Sequence, residues 1–171
     1  MDFYADTPAR KRALSAPQVD PPQELEHESP PLPIDDSDEG SDTGETEPYH
    51  AWTRQHPAIE IDHEVDAISA DGHEVYNLLR LWHIEQVLIM GVHTNMCILN
   101  RSFGIKQMVR WGVDIALVRD LTDAMYNPAR SPYVSHEAGT NLVIGYIERF
   151  WCPSVTSDDL AQSSSFFSLL R

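Results

Sequence analysis

Cys97 is the residue in this chain with the clearest chemical context. It closes the run Gly91-Val92-His93-Thr94-Asn95-Met96-Cys97, which follows the apolar stretch Val87-Leu88-Ile89-Met90 and precedes a helix-like stretch from Ile98 to Trp111. A thiol is thereby expected at a strand-to-helix turn, where α/β proteins gather their ligands. Unpaired N–H groups at a helix start favour thiolate over thiol, and the thiolate is the nucleophile. The competing reading is a small buried residue, which free cysteine commonly is. His93, four residues earlier, is a candidate base for a Cys–His pair; a pocket-lining or hydrogen-bonded histidine is the plainer alternative. Thr94 and Asn95 are expected to cap the helix and orient the turn rather than react.

Other candidates are weaker. Asp62-His63-Glu64-Val65-Asp66 has metal-ligand residue types. On a strand, Asp62 and His63 would face opposite sides, so no metal is assigned; Asp62 is instead a candidate base near the thiol, with a solvated loop as the alternative. Arg119-Asp120 and Tyr126-Asn127-Pro128 follow a strand-like run and are candidates for lining a pocket. The second cysteine, Cys152, sits between Trp151 and Pro153 and reads as packing. The two cysteines form no C-x-x-C pair, so neither a zinc ribbon nor a thioredoxin motif is indicated. Trp52, Trp82, Trp111 and Trp151 read as core or interface residues, and no cofactor is expected.

The elements that must position these groups follow from periodicity. Ile59-Glu60-Ile61 suggests a short strand. Asp71, with Glu74 three residues on, opens a helix whose apolar face is Val75, Leu78, Leu79 and Trp82. Val87 to Val92 suits a strand buried on both faces. Cys97 to Trp111 is the next helix, with Gly112 past its end. Ile115 to Val118 is another strand. Leu142, Val143, Tyr146, Ile147 and Phe150 mark a helix stopped by Pro153, and Val155-Thr156 a last strand. Strands alternating with helices predict an α/β fold: a three-layer α/β/α arrangement around a mostly parallel sheet.

Charge is distributed unevenly. The net charge is -15, and no Lys or Arg occurs between Ala13 and Thr53, where eleven carboxylates from Asp20 to Glu47 are concentrated. Such a segment buries too little apolar surface to offset its ordering entropy. Residues 1–50 are therefore expected to form a partly acidic, disordered N-terminal segment, 51–160 the α/β domain, and 161–171 a tail. An acidic chain repels phosphates, so nucleic acid is not an expected partner. No apolar run approaches a membrane-spanning length. The start lacks the basic-then-apolar order of a signal peptide, and a cytoplasmic location is expected.

The segment from Val87 to Cys97 resembles the cysteine hydrolases of the isochorismatase-like superfamily, which includes nicotinamidases, carbamoylsarcosine amidases and isochorismatases. The shared pattern is an apolar strand, then Gly-x-x-Thr-(Asn/Asp)-x-Cys, then a helix. The run from Gly112 to Asp120 also looks like that family's next strand, ending in an acid. The resemblance covers roughly residues 55 to 158. It implies a Rossmann-like three-layer fold and a small-molecule substrate. It implies that Cys97 attacks an amide-like carbonyl and forms a thioester that water hydrolyses. It also implies an oxyanion site from the N–H groups of His93 and Cys97, with a cis peptide between Val92 and His93.

The resemblance further implies a triad Asp at the end of a first strand and a Lys after a middle strand. No apolar run precedes residue 55, so the first strand and its Asp are expected to be missing, as in an N-terminally truncated or divergent member. The Lys position falls on or near Asp62; the only lysines are Lys11 and Lys106. Three readings therefore stand: a cysteine hydrolase of a small amide, a non-catalytic or truncated member that binds a metabolite or partner chain, and an interaction protein working through its acidic arm. A sheet lacking a central strand exposes edges, so a homo-oligomer is expected.

Overall fold

The computed structural model describes residues 2–38 and 53–168, the last six of these by backbone alone. Trp52 and the acidic residues from Glu39 to Glu47, for which expectations were stated above, lie outside the described residues. Among the described residues no helix is long and apolar enough to cross a membrane.

The chain is an α/β protein built on a small parallel sheet of three strands. A 3-10 turn, Asp2–Tyr4, leads into α1, Pro8–Ser15. Then come α2 (Gly72–Leu81), β1 (Gln86–Val92), a π turn (Thr94–Ile98) and α3 (Ile105–Arg110). The order closes with β2 (Asp114–Asp123), α4 (His136–Phe150), β3 (Ser154–Val155) and α5 (Ser157–Ser168). The strands lie in the order β1-β2-β3. Gln86 to Ile89 pair with Asp114 to Leu117; after an irregularity, Gly91 and Val92 pair with Thr122 and Asp123.

Local signals place most helix starts. Thr7 caps α1 by accepting from Arg10 N at 3.3 Å, with Pro8 at the first turn. Asp71 accepts from Glu74 N at 3.0 Å and Ser135 from Ala138 N at 3.2 Å, capping α2 and α4. Glu74 does not reach back to complete a capping box; it pairs with Arg10 of α1. Gly112 takes a left-handed φ of 72° just past α3.

Three expectations are corrected. Ile59 to Ile61 form no strand: the segment is an irregular loop, and Ile59 is 55% exposed. Without a neighbouring strand to pair with, its backbone has no ladder to join. The helix expected from Cys97 to Trp111 is broken. The chain makes the π turn, bends at Arg101 to Gly104, and restarts as α3. Gly104 permits the bend, because a Cβ there would stand 2.8 Å from the Ile98 carbonyl oxygen and 3.0 Å from that of Cys97. Strand β1 is not buried on both faces. Val87 and Ile89 face the core, while Leu88, Met90 and Val92 on the other face are exposed. Trp82 lies outside the core, whereas Trp111 and Trp151 are buried in it.

The main core lies on the Ile115/Leu117 face of the sheet, where Leu99, Ile105, Met108, Val143 and Ile147 converge. Residues 17–38 form no helix or strand but run along this body as a strap. Val19 N donates to Asn77 Oδ1 and Leu25 N to the Arg110 carbonyl, both at 2.9 Å. His27 stacks on Trp151 at 4.4 Å, and Tyr146 donates to the Pro30 carbonyl at 2.7 Å. Ile34 is 6% exposed and belongs to the core. At the other end, α5 runs across residues 160 and 161, where the tail was expected to begin.

Candidate functional site

Strand β1 ends at the turn that carries Cys97. Its last residue, Val92, is followed by a cis peptide bond to His93, after which Thr94–Ile98 form one π-helical turn. Both Met96 N and Ile98 N donate to the His93 carbonyl, at 3.1 and 3.2 Å. Cys97 and His93 are half-buried, and Thr94 and Asn95 are buried. The Cys97 side chain therefore sits inside a five-residue turn, rather than at the start of a long helix.

Thr94 and Asn95 hold the turn, but not as caps. The residue in the cap position is His93, and it makes no side-chain cap hydrogen bond. Both neighbours reach the end of β2 instead. Thr94 Oγ1 lies 2.7 Å from Thr122 Oγ1, and Thr122 also donates to the Gly91 carbonyl at 2.8 Å. Asn95 Oδ1 accepts from Met125 N at 2.8 Å, and its Nδ2 donates to the Met125 carbonyl at 3.1 Å and to Asp36 Oδ2 at 3.0 Å. The reason is topological. A parallel neighbour ends beside the turn and offers unpaired backbone groups, which a buried amide must satisfy and can satisfy.

Asp120 does not lie beyond its strand. β2 continues to Asp123, and the Asp120 carboxylate accepts from Ser157 N at 2.8 Å and Ser157 Oγ at 2.5 Å. Those bonds hold its carboxyl below the usual range and tie β2 to α5. Asp62 is engaged elsewhere too. It accepts from Glu64 N at 2.8 Å within a 62–66 turn, which Arg12 of α1 clasps through the carbonyls of His63, Glu64 and Asp66. No described contact joins Asp62 to the Cys97 turn, and no group of three His, Cys, Asp or Glu among the described residues is arranged to hold a metal. Of the two lysines, Lys11 is exposed on α1 and Lys106 lies 5.5 Å over the Trp151 ring.

The acid at the end of β2 is Asp123, in register with Val92. Its carboxylate accepts from Thr140 Oγ1 at 3.0 Å and faces His136 Nε2 at 2.9 Å, while His136 Nδ1 faces the Tyr126 carbonyl at 2.9 Å. The pair thus fastens α4 to the end of β2. Of the other loop candidates, Arg119 donates to Ser154 Oγ at 2.9 Å, Tyr126 is buried, and Asn127 donates to Asp38 at 2.9 Å. Sequence reading missed Asp36, Asp123, His136 and Thr140. The signal for the last three was the length of β2, since a strand running past Asp120 puts Asp123 at its end.

Two clefts, of ≈ 810 Å³ and ≈ 590 Å³, lie elsewhere: one between Glu24–Glu28 and Arg110, the other among Tyr4, Ile59, Val65, Ile68 and Trp82. Cys97 lines neither. Cys152 is buried in the core, and burial pushes its thiol up to about 11. No protein-family model, curated protein or solved structure matches the chain.

Proposed function

We propose that the chain is an isochorismatase-like cysteine hydrolase that acts on a small amide or a related bond, on a Rossmann-like three-layer fold. One observation carries the reading: a half-buried thiol on the tight turn at the carboxyl end of a parallel strand, with the turn fastened to the neighbouring strand by Thr94 and Asn95. In this reading Cys97 Sγ attacks the carbonyl carbon and the oxygen takes up negative charge beside the backbone N–H groups of His93 and Cys97. The C–N bond breaks, the amine leaves with the thiol proton, and water hydrolyses the thioester to the acid and free thiol. Two unpaired cysteines suit a reducing compartment, which favours the cytosol. Among the described residues β1 pairs only with β2, and such an edge favours a homo-oligomer.

A second reading is favoured by the same geometry. Asp62 and Asp120 are committed to other contacts, and neither lysine is joined to the turn by a described contact. A member without base or cation would keep the sheet and bind a small molecule or partner chain without turnover. An amide and ester panel with wild type and Cys97→Ala separates the two. Turnover lost in Cys97→Ala supports the hydrolase; no turnover above the Cys97→Ala background selects the binding protein.

A further inference from the structure

We propose that Asp36 is a positioning residue for the Cys97 thiol: its carboxylate, acting through the Asn95 amide, holds closed the turn that carries the sulfur. A single π turn, Thr94–Ile98, has too few internal hydrogen bonds to keep its own shape. The shape is imposed through Asn95, which is 1% exposed and lies two residues before the thiol. Its amide has one oxygen and two N–H donors to satisfy. Met125 takes the oxygen and one donor, at 2.8 and 3.1 Å, and Asp36 Oδ2 takes the other donor at 3.0 Å. The Asn95 carbonyl in turn accepts from Asn100 Nδ2 at 2.7 Å.

The strap keeps that carboxylate in place. Two residues before it, Ile34 belongs to the core. One residue before it, Asp35 N donates to the Ser131 carbonyl at 2.9 Å. Two residues after it, Asp38 Oδ2 accepts from Arg130 Nε at 3.0 Å and from Asn127 Nδ2 at 2.9 Å. Anchored on both sides, Asp36 has little freedom left to lose when it meets Asn95, so most of the bond's worth acts on the turn. Asn127, Arg130 and Ser131 belong to the loop after β2, and Asn95 to the turn after β1. Residues 34–38 thus tie together the two segments that leave the carboxyl ends of neighbouring parallel strands, where such sheets bind ligands. A half-buried thiol reacts by way of local opening, and the bond between Asp36 and Asn95 opposes that opening.

The test is the rate at which iodoacetamide alkylates Cys97 in the folded full chain, between about pH 6 and 9. Asp36→Ala is expected to label about fivefold faster than wild type at every pH, the worth of one such bond. Asp36→Asn keeps an acceptor oxygen for Asn95 Nδ2 and should return to within about twofold of wild type. Tyr146→Phe removes the strap's hydrogen bond at Pro30, leaves Asp36 in place and should label like wild type. Cys152, buried in the core, reports global unfolding and should stay unlabelled throughout. That pattern supports the proposal. Unchanged or slower labelling in Asp36→Ala overturns it, as does labelling of Cys152 in step with Cys97. An equal change in Asp36→Asn overturns it by showing that the carboxylate acts through its charge, and an equal change in Tyr146→Phe by showing that any loosening of the strap suffices. Turnover is a separate arm and rests on the hydrolase reading. There kcat should fall in Asp36→Ala at unchanged KM and recover in Asp36→Asn, and a kcat that does not move overturns the proposal. Wild type without turnover sinks the hydrolase alone and leaves the alkylation rates to decide on Asp36.

Discussion

Asp36 of the acidic strap and Asn95 of the Cys97 turn are joined by a 3.0 Å hydrogen bond across fifty-nine residues of sequence. The strap thus ends on the turn that carries the thiol. Asp38 extends the contact by accepting from Arg130 Nε at 3.0 Å, and Asp35 N donates to the Ser131 carbonyl at 2.9 Å. The two partners differ in what they hold. Asn95 also satisfies Met125 N–H and C=O in the interior, whereas among the described residues the Asp36 side chain satisfies the amide alone. Asn95→Ala leaves buried backbone groups unpaired and is expected to cost about 2–3 kcal/mol. Asp36→Ala removes one hydrogen bond at the half-buried surface while Asn95 Nδ2 keeps the Met125 carbonyl, so about 1 kcal/mol is expected. Urea melts of both variants check the order; equal losses would contradict it.

The two thiols are expected to react in sequence. Cys152 is buried and its thiol stays protonated until about pH 11, so the folded protein keeps it inert. Cys97 is half-buried at the end of a strand. Iodoacetamide at pH 8 should label one site in native protein and two in urea, and Cys97→Ser should abolish native labelling. Mass spectrometry of the peptides decides; native modification of Cys152 would contradict the packing described here.

The clasp between α1 and α2 predicts an acid-sensitive contribution to stability. Hydrogen bonds from Arg10, at 2.5 and 3.1 Å, hold the Glu74 carboxyl below its usual value. A depressed folded-state value means the stabilisation is fully present above the unfolded value of about 4.3 and is lost as pH falls through the folded one. Glu74→Gln is therefore expected to cost roughly 1–2 kcal/mol at pH 7, shrinking toward zero in strong acid. Urea melts of wild type and variant across that range measure the convergence. A gap that stays constant with pH would exclude the ion pair as its source.

What the sequence disclosed and what it hid follow from the range of the interactions. The β1 strand, the α2 start at Asp71 and the α4 helix rest on local patterns, and they read correctly from a few neighbouring residues. The break at Gly104 rests on carbonyls of Cys97 and Ile98 that approach only once the turn has formed. The roles of Thr94 and Asn95 rest on the end of β2, about thirty residues away. Strap docking is of the same kind. Acidic composition argued for solvation, yet Ile34 in the core and the Tyr146–Pro30 bond tie the strap down.

Two glycines of α4 offer a paired test of packing against propensity. At Gly139 a Cβ would stand 2.6 Å from Cε1 of Tyr126, a fully buried ring whose hydroxyl donates to the Arg130 carbonyl at 2.8 Å. The ring cannot withdraw without breaking that bond. Overpacking of about 1–3 kcal/mol then outweighs the roughly 1 kcal/mol that alanine gains over glycine inside a helix. At Gly145 nothing lies within 4 Å of the same added atom, so only the propensity gain remains. Gly139→Ala is expected to lower the melting midpoint and Gly145→Ala to raise it. Because the two share one helix, a uniform effect of alanine would move both the same way, and opposite shifts isolate the Tyr126 contact. If Gly139→Ala instead stabilised the protein, the close approach of α4 to Tyr126 would be refuted.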